Sequence, residues 1–308
     1  MPAPDAAAAA GRPPLTILDG GTGRELARIG APFRQPEWSA LALMEAPSMV
    51  ARVHRAYVGA GADVITTNSY ALVPFHIGED RFAAEGQMLA ARAGLVAREV
   101  ADEADHPVLV GGSLPPVGGS YRPDRVDGGR SRLVLPRLID GLEPAVDHWH
   151  AETLSAVAEA EIVAELTASS GKPLWLSFTL LDDGATAEPR LRSGESVGEA
   201  ARAARDLGGS ALLFNCSQPE VMLGAVAVAS DVLQGRIPVG VYANAFPPQT
   251  ADAEANDALH AVRPDLTPQH YCDFAAGWQG AGADIIGGCC GIGPEHIAAL
   301  ASLRSSSD

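Results

Sequence analysis

Short apolar β-prone runs alternate with alanine-rich amphipathic stretches along most of this chain, and one joint between them recurs. Residues 60–65 read AGADVI and residues 281–286 read AGADII. Each follows a helical pattern that ends at glycine, SMVARVHRAYVGAG in the first case and YCDFAAGWQGAG in the second. Helix, glycine turn and short buried strand form the αβ joint of a parallel sheet. Eight candidate strands follow: residues 15–20, 63–67, 107–112, 145–152, 173–179, 210–216, 237–242 and 284–288. Eight strands with helices between them predict one closed (β/α)8 barrel. An open doubly wound sheet is the rival, but no GxGxxG follows the first strand, which weighs against its dinucleotide-binding form.

The composition suits one such domain. The chain has 308 residues, 47% of them hydrophobic, enough for a large core. The barrel is expected over residues 14–304, with a disordered Ala/Pro-rich leader at 1–13 and a flexible tail at 305–308. A formal net charge of −16 argues against nucleic acid or an anionic membrane surface as partner. No apolar run is long enough to span a membrane. The first residues, MPAPDAAAAAGRPPL, make a poor signal peptide. A cytoplasmic protein with reduced thiols is therefore expected, and its four cysteines point to metal binding or catalysis rather than a disulfide framework.

Two gaps between strands differ from the helical rule. Residues 113–144 are rich in Gly and Pro at their start, and residues 244–268 are polar and contain proline. Both follow predicted strands. Both are therefore expected on the C-terminal face of the barrel, where barrel active sites lie.

Polar and metal-capable residues gather at the strand ends. Asp19 ends the first strand, Thr66 and Thr67 the second, Glu152 the fourth and Cys216 the sixth; Asn244 follows the seventh, and Cys289 and Cys290 the eighth. Barrel closure brings those ends together. Three cysteines at two strand ends suit one zinc ion, with a fourth position left open as in catalytic sites. Two adjacent thiols on an extended strand point to opposite faces. Gly287, Gly288 and Gly291 are expected to free the backbone so that both sulfurs face one point. The competing readings are a vicinal Cys289–Cys290 disulfide and, for a lone cysteine, a small apolar core residue. Cys272, inside a helical run, takes the core reading. His76 and His270 are the candidates if a fourth protein ligand closes the site.

A zinc held by three thiolates carries a net negative charge and is a poor activator of water. It suits a substrate thiol, which it would hold deprotonated at neutral pH. A natural reaction for such a thiolate is alkyl transfer, favoured in a dry pocket when the donor is cationic. Asp19 and Glu152 could then grip the ammonium of an amino-acid thiol. The competing readings are helix capping, the commoner role for an aspartate after a strand, or a buried pair between strands.

The segments ILDGGTGRELARIG (17–30), GADVITTNSY (61–70), AETL (151–154), SFTL (177–180), FNC (214–216) and GGCCGIGPEHI (287–297) resemble the homocysteine S-methyltransferase family. They span nearly the whole chain in order, and GGCCG with an upstream NC is highly specific. The resemblance implies a zinc-dependent (β/α)8 barrel that methylates homocysteine to methionine. It places zinc on Cys216, Cys289 and Cys290, and the amino group near Asp19 and Glu152. The rest of the amino acid falls at main-chain groups around Gly20 and at Thr67. Trp38 matches an aromatic that closes over the substrate, and Tyr70 a tyrosine near the donor; Asn244 joins them as a binding residue. Among the family's branches, the short length, the ET pair at 152–153 and the SY pair at 69–70 resemble the one that uses S-methylmethionine, with S-adenosylmethionine as a poorer donor. The alternatives are a betaine- or other onium-dependent enzyme, a related thiol or selenol acceptor, and a barrel that binds zinc and thiol without turnover. The last stays open because segments 118–143 and 244–268 diverge from the family pattern.

Overall fold

The computed structural model describes residues 14–182, 188–248 and 261–304. The expected leader and tail lie outside the described residues. Eight parallel strands run in chain order: β1 (Thr16–Ile17), β2 (Val64–Thr66), β3 (Leu109–Leu114), β4 (His148–Leu154), β5 (Leu174–Phe178), β6 (Ala211–Asn215), β7 (Val239–Ala243) and β8 (Ile285–Gly288). Each pairs with its sequence neighbour from β2 to β8, and β8 pairs with β1. A parallel bridge between Leu18 and Val64 closes β1 onto β2. The fold is the single (β/α)8 barrel that the strand rhythm predicts.

The recurring AGAD joint has a physical job. Gly61 and Gly282 adopt φ of 98° and 122°, conformations in which a side chain would strain the turn out of the preceding helix. The aspartate that follows then turns its carboxylate to the neighbouring strand. Asp63 Oδ2 accepts the Ile17 N–H at 2.7 Å and Asp284 Oδ2 accepts that of Val239 at 3.3 Å. Asp147, which precedes β4, does the same for Val110 at 2.7 Å. Three carboxylates thus satisfy strand N–H groups at the N-terminal end of the barrel, where stability rather than chemistry is decided.

Burial follows the two layers of the fold. β6 and β7 are buried at every residue, as expected for strands covered on both faces. Leu18, Val64, Ala211, Leu213, Tyr242 and Ile285 pack inside the barrel, while Leu212, Phe214 and Val241 join the layer between strands and helices. Cys272 is buried in that outer layer, consistent with its core reading.

Strand ends shift by one to three residues from the sequence expectation, and three differences bear on the site. The first strand is short, Thr16–Ile17, yet main-chain links run on through Asp19, whose N–H donates to the Val64 carbonyl at 3.0 Å while its side chain adds a link to Thr66. The fourth strand starts three residues later than expected and reaches Leu154 through an irregular register between Ala151 and Leu154. The 113–144 segment is half helix. After a short turn at Pro123–Arg125, Asp127 caps a helix over Gly128–Leu142 by accepting the Arg130 N–H. The Gly-Gly start and internal Pro136 hide that helix from a composition reading. Of the 244–268 segment, residues 249–260 lie outside those described.

His54, on the helix Pro47–Gly59, is fully buried, and neither ring nitrogen has a hydrogen-bond partner. Burial lowers its pKa from 6.5 to about 4. The folded protein therefore prefers the neutral ring, and unfolding takes up a proton below the unfolded value. The contribution is fully present above 6.5 and is lost as pH falls toward about 4. Between about pH 7 and about pH 5 this one group is expected to remove about 2 kcal/mol of stability. Urea unfolding of His54→Leu at both pH values should show a loss smaller by that amount. Equal losses would mean that the ring is already charged in the fold.

Candidate active site

β6 and β8 deliver the three sulfurs. Cys216 follows β6 directly and adopts φ of 52°, unusual for a residue with a Cβ. Cys289 and Cys290 follow β8, where Gly291 at φ 85° turns the chain. The turn is held by main-chain bonds: Cys289 N–H donates to Ala243 at 2.8 Å, and Ala245 N–H donates to the Cys290 carbonyl at 2.8 Å. The sulfurs of Cys216, Cys289 and Cys290 lie within 4.8 Å of one another, and Cys216 and Cys289 Sγ are 2.9 Å apart as free thiols. Gly291 thus supplies the turn expected of three glycines. Gly287 and Gly288 lie at the end of β8 and are needed for closeness instead: a Cβ there would meet Leu18 Cβ at 2.4 Å and Ile292 Cγ2 at 2.2 Å. The strained backbone of Cys216 is the part of the site that nothing in the sequence announces.

The donor set fits a soft divalent cation. Cys290 is held well below the ordinary thiol range by hydrogen bonds from Cys216 and Cys289. Cys289 is pushed well above it by its bonding to Cys216 and Cys290 and by burial. One charge is stabilised and a second is resisted, so a cation is what would let all three ionise. Among the described residues the group that could hold a metal contains these three alone. His76 instead bonds the Pro36 carbonyl at 3.0 Å, and half-buried His270 bonds that of Asp265 at 2.9 Å, so neither completes the set.

Asp19 does not cap a helix. The helix Thr22–Arg28 starts after Gly21 without a side-chain cap. Asp19 Oδ2 accepts the Thr66 N–H at 2.7 Å and Oδ1 accepts the Thr66 hydroxyl at 3.2 Å. Burial, with the nearby Glu152 charge adding to it, raises the Asp19 carboxyl to about 8 against the bonds from Thr66. Glu152 is raised to about 7, again mainly by burial, although Ser113 Oγ donates to Oε1 at 2.5 Å.

The irregular register in β4 re-aims the chain beside Glu152. Thr153 takes φ of 60° and is buried. Asn215 holds it with both ends of its amide: Oδ1 accepts the Thr153 N–H at 3.0 Å, and Nδ2 donates to the Thr153 hydroxyl at 2.9 Å. Asn215 was visible in sequence only as the residue before Cys216. Its clamp spans 62 positions and needs the fold to be seen.

These groups share one cavity that opens to solvent. Asp19, Gly20, Thr67, Glu152, Trp38, Tyr70 and the three cysteines all line it. Thr67 Oγ1 accepts the Ser113 N–H at 3.0 Å, which ties it to the residue that holds Glu152. The Tyr70 hydroxyl bonds Ser120 at 2.5 Å. Trp38 packs between Phe33 and His76, at ring distances of 6.1 and 6.2 Å. Asn244 is the exception. It is fully buried, its N–H donates to the Ser217 carbonyl, and it is not among the cavity-lining residues. Its place after β7 suggested the mouth, but the chain turns there and tucks the amide behind Ser217 and Phe246.

Sequence reasoning did not single out Arg24, Tyr121 and Tyr242, which also line the cavity. Arg24 stacks over the Phe246 ring at 5.1 Å. Arg192 lies 4.9 Å over the Tyr121 ring and pairs with Asp182 at 2.8 Å, both ends of that pair being almost fully buried. The Gly- and Pro-rich segment around Tyr121 gave the only hint.

With this geometry in hand, comparison with known proteins is decisive. The profile of the homocysteine S-methyltransferase family matches residues 16–303. This chain belongs to the homocysteine S-methyltransferase family. Homocysteine S-methyltransferase 4 of Zea mays is 31% identical over 92% of this chain and 88% of its own length. A selenocysteine methyltransferase of Astragalus bisulcatus is 26% identical over 94% and 92%. The crystal structure of the homocysteine methyltransferase MmuM from Escherichia coli, in its metallated form, superposes with a TM-score of 0.74 at 27% identity, covering 94% of this chain and 96% of that one. The chain is thus a methyltransferase barrel of this family, as the resemblance implied. No described helix is long and apolar enough to cross a membrane.

Proposed function

We propose that this enzyme transfers a methyl group from a sulfonium donor, S-methylmethionine or less readily S-adenosylmethionine, to the sulfur of L-homocysteine. The observation that carries the reading is the convergence, in one cavity, of three sulfurs with two carboxyls, the buried Asp19 and the half-buried Glu152, whose ionisation desolvation suppresses. Zinc on Cys216, Cys289 and Cys290 would leave a position open and hold a substrate thiol as its thiolate.

The protein's own residues do the rest. Asp19 and Glu152 receive the ammonium of the amino acid, which supplies the positive charge that lets both carboxyls ionise. Thr66 and Ser113 hold them in place. Thr67 and the main chain around Gly20 take the carboxylate end of the acceptor. Trp38 and Tyr70 close the apolar side and keep water away from the sulfur and the donor, so the charged donor gains by becoming neutral. Free thiols at the site suit the reducing cytoplasm.

The test is a competition assay on zinc-loaded protein. Homocysteine is mixed with S-methylmethionine, S-adenosylmethionine, glycine betaine and dimethylsulfoniopropionate, each carrying its own isotopic methyl label. Methionine labelled from S-methylmethionine supports the reading, and another label moves the enzyme to that donor. No methionine would mean a different acceptor or a barrel that only binds. The selenocysteine methyltransferase relative makes a selenol the acceptor to try next.

Glu152→Gln keeps the shape and removes the charge. Its KM for homocysteine is expected to rise about tenfold to a hundredfold, the scale of a hydrogen bond to a charged group, with kcat changed far less. Steady-state kinetics with homocysteine varied would measure the split. An unchanged KM would remove Glu152 from the ammonium site.

A further inference from the structure

Trp38 stands at the cavity in a conformation that costs free energy to hold. Its backbone is at φ 50° and ψ −133°, a region that residues with a Cβ seldom adopt. Its indole N–H is buried without a partner. The chain that leads to it is exposed over residues 34–36, and its own hydrogen bonds are local. Trp38 N–H donates to the Arg34 carbonyl at 2.7 Å, and Arg34 pairs with Glu37 at 3.0 Å. Bonds of that kind shape the segment but do not fix where it sits on the barrel.

Two buried side chains from the segment after β2 reach across to it. Asn68 Nδ2 donates to the Ser39 carbonyl at 3.0 Å. His76 Nδ1 lies 3.0 Å from the Pro36 carbonyl. A carbonyl only accepts, so Nδ1 carries the proton and donates it. Burial lowers the His76 pKa to about 4, so at neutral pH the ring stays in that one tautomer. The two accepting carbonyls flank Trp38, one just after it in the chain and one just before. The His76 ring also packs on the indole, with centroids 6.2 Å apart, and Phe75 backs it edge-on at 5.0 Å. Asn68, His76 and Trp38 all line the cavity.

We propose that His76 and Asn68 are positioning residues: they clamp the chain on either side of Trp38, so that its indole stands as a fixed wall for the cationic methyl donor. An indole face attracts an onium group, and a wall already in place need not be ordered when the donor binds. This rests on the reading that the donor is a sulfonium. The clamp holds the wall and not the reacting atoms, so its loss weakens donor binding more than the methyl-transfer step.

The experiment uses the zinc-loaded full chain with homocysteine saturating and S-methylmethionine varied. His76→Phe keeps a ring and removes the N–H, whereas His76→Asn puts an amide N–H close to the Nδ1 position. His76→Phe is expected to raise KM for S-methylmethionine about fivefold to tenfold with kcat within about twofold, and His76→Asn to stay near the wild-type value. In a Trp38→Leu background His76→Phe should add no further loss, because it acts through the indole. Acrylamide quenching of tryptophan fluorescence, without substrate, reads the clamp itself. The Trp38 signal, taken as the difference between each protein and its Trp38→Leu counterpart, should become more accessible in His76→Phe and not in His76→Asn. Asn68→Ala breaks the other arm and should open Trp38 in the same way, which keeps the proposal falsifiable if His76→Phe misfolds. A merely structural role would make Phe and Asn equivalent and the double effect additive; either result overturns the proposal, as does unchanged quenching. Wild-type protein that makes no methionine from S-methylmethionine would overturn the donor reading and this one together. Normal wild-type kinetics with unsplit variants overturn this one alone.

Discussion

Cys289→Ser is expected to fold normally, lose its metal on dialysis, and lose at least about a hundredfold in methyl transfer, since removing even an outer partner of a metal ligand can cost that much. A serine hydroxyl is not ionised at neutral pH and is a hard donor, whereas the cluster of Cys216, Cys289 and Cys290 is soft and already stabilises one negative charge. Metal content by elemental mass spectrometry and the labelled methyl assay are read on the same samples. Cys272→Ala is the control, because that thiol lies in the outer packing layer and should leave both readouts unchanged. Retention of zinc and activity by Cys289→Ser would overturn the proposed centre. Loss of zinc with activity intact would show that the sulfurs bind metal without using it.

Asp182→Ala is expected to give the largest stability loss, about 3–5 kcal/mol, because it leaves the Arg192 guanidinium buried without its carboxylate. Both ends of this pair are 1% exposed. Asp182 also accepts the Gln218 N–H at 3.0 Å, two residues beyond Cys216, and Arg192 backs the Tyr121 ring at the cavity wall. The pair therefore braces the mouth at two points. Chemical denaturation checks the loss. The double variant Asp182→Leu/Arg192→Met tests the cause: replacing the whole ion pair by apolar side chains is expected to recover most of it. A double variant as weak as the single one would assign the loss to the Gln218 contact instead of the stranded charge.

Much of the architecture was legible in the chain itself. Strands buried on both faces are written as continuous apolar runs, and eight of them joined by amphipathic helices leave few alternatives to a closed barrel. The paired AGAD joints mark where glycine ends a helix and aspartate starts a strand. Local rules also explain the misses. Asp19 was legible as a strand-end carboxylate, but its bond to Thr66 crosses 47 residues, and no local signal shows that its side chain extends the link from β1 to β2. The helix over Gly128–Leu142 begins with two glycines and contains a proline, so propensity pointed to a loop, and packing against its neighbours overrode it.

For the site, the chemistry of the residue types and their places at strand ends came from the sequence, because thiols, carboxylates and glycines keep their character in any fold. Which of them meet was decided by tertiary structure. Barrel closure sets three sulfurs from two strands within 4.8 Å and brings the buried Asp19 carboxyl and the half-buried Glu152 carboxyl into the same cavity. It also turns Asn244 away from the mouth, holds Cys216 and Thr153 at positive φ, and sets the His150 ring edge-on to Tyr242 across 92 positions. Those outcomes depend on contacts between residues far apart in the chain, and such contacts have no local pattern in sequence.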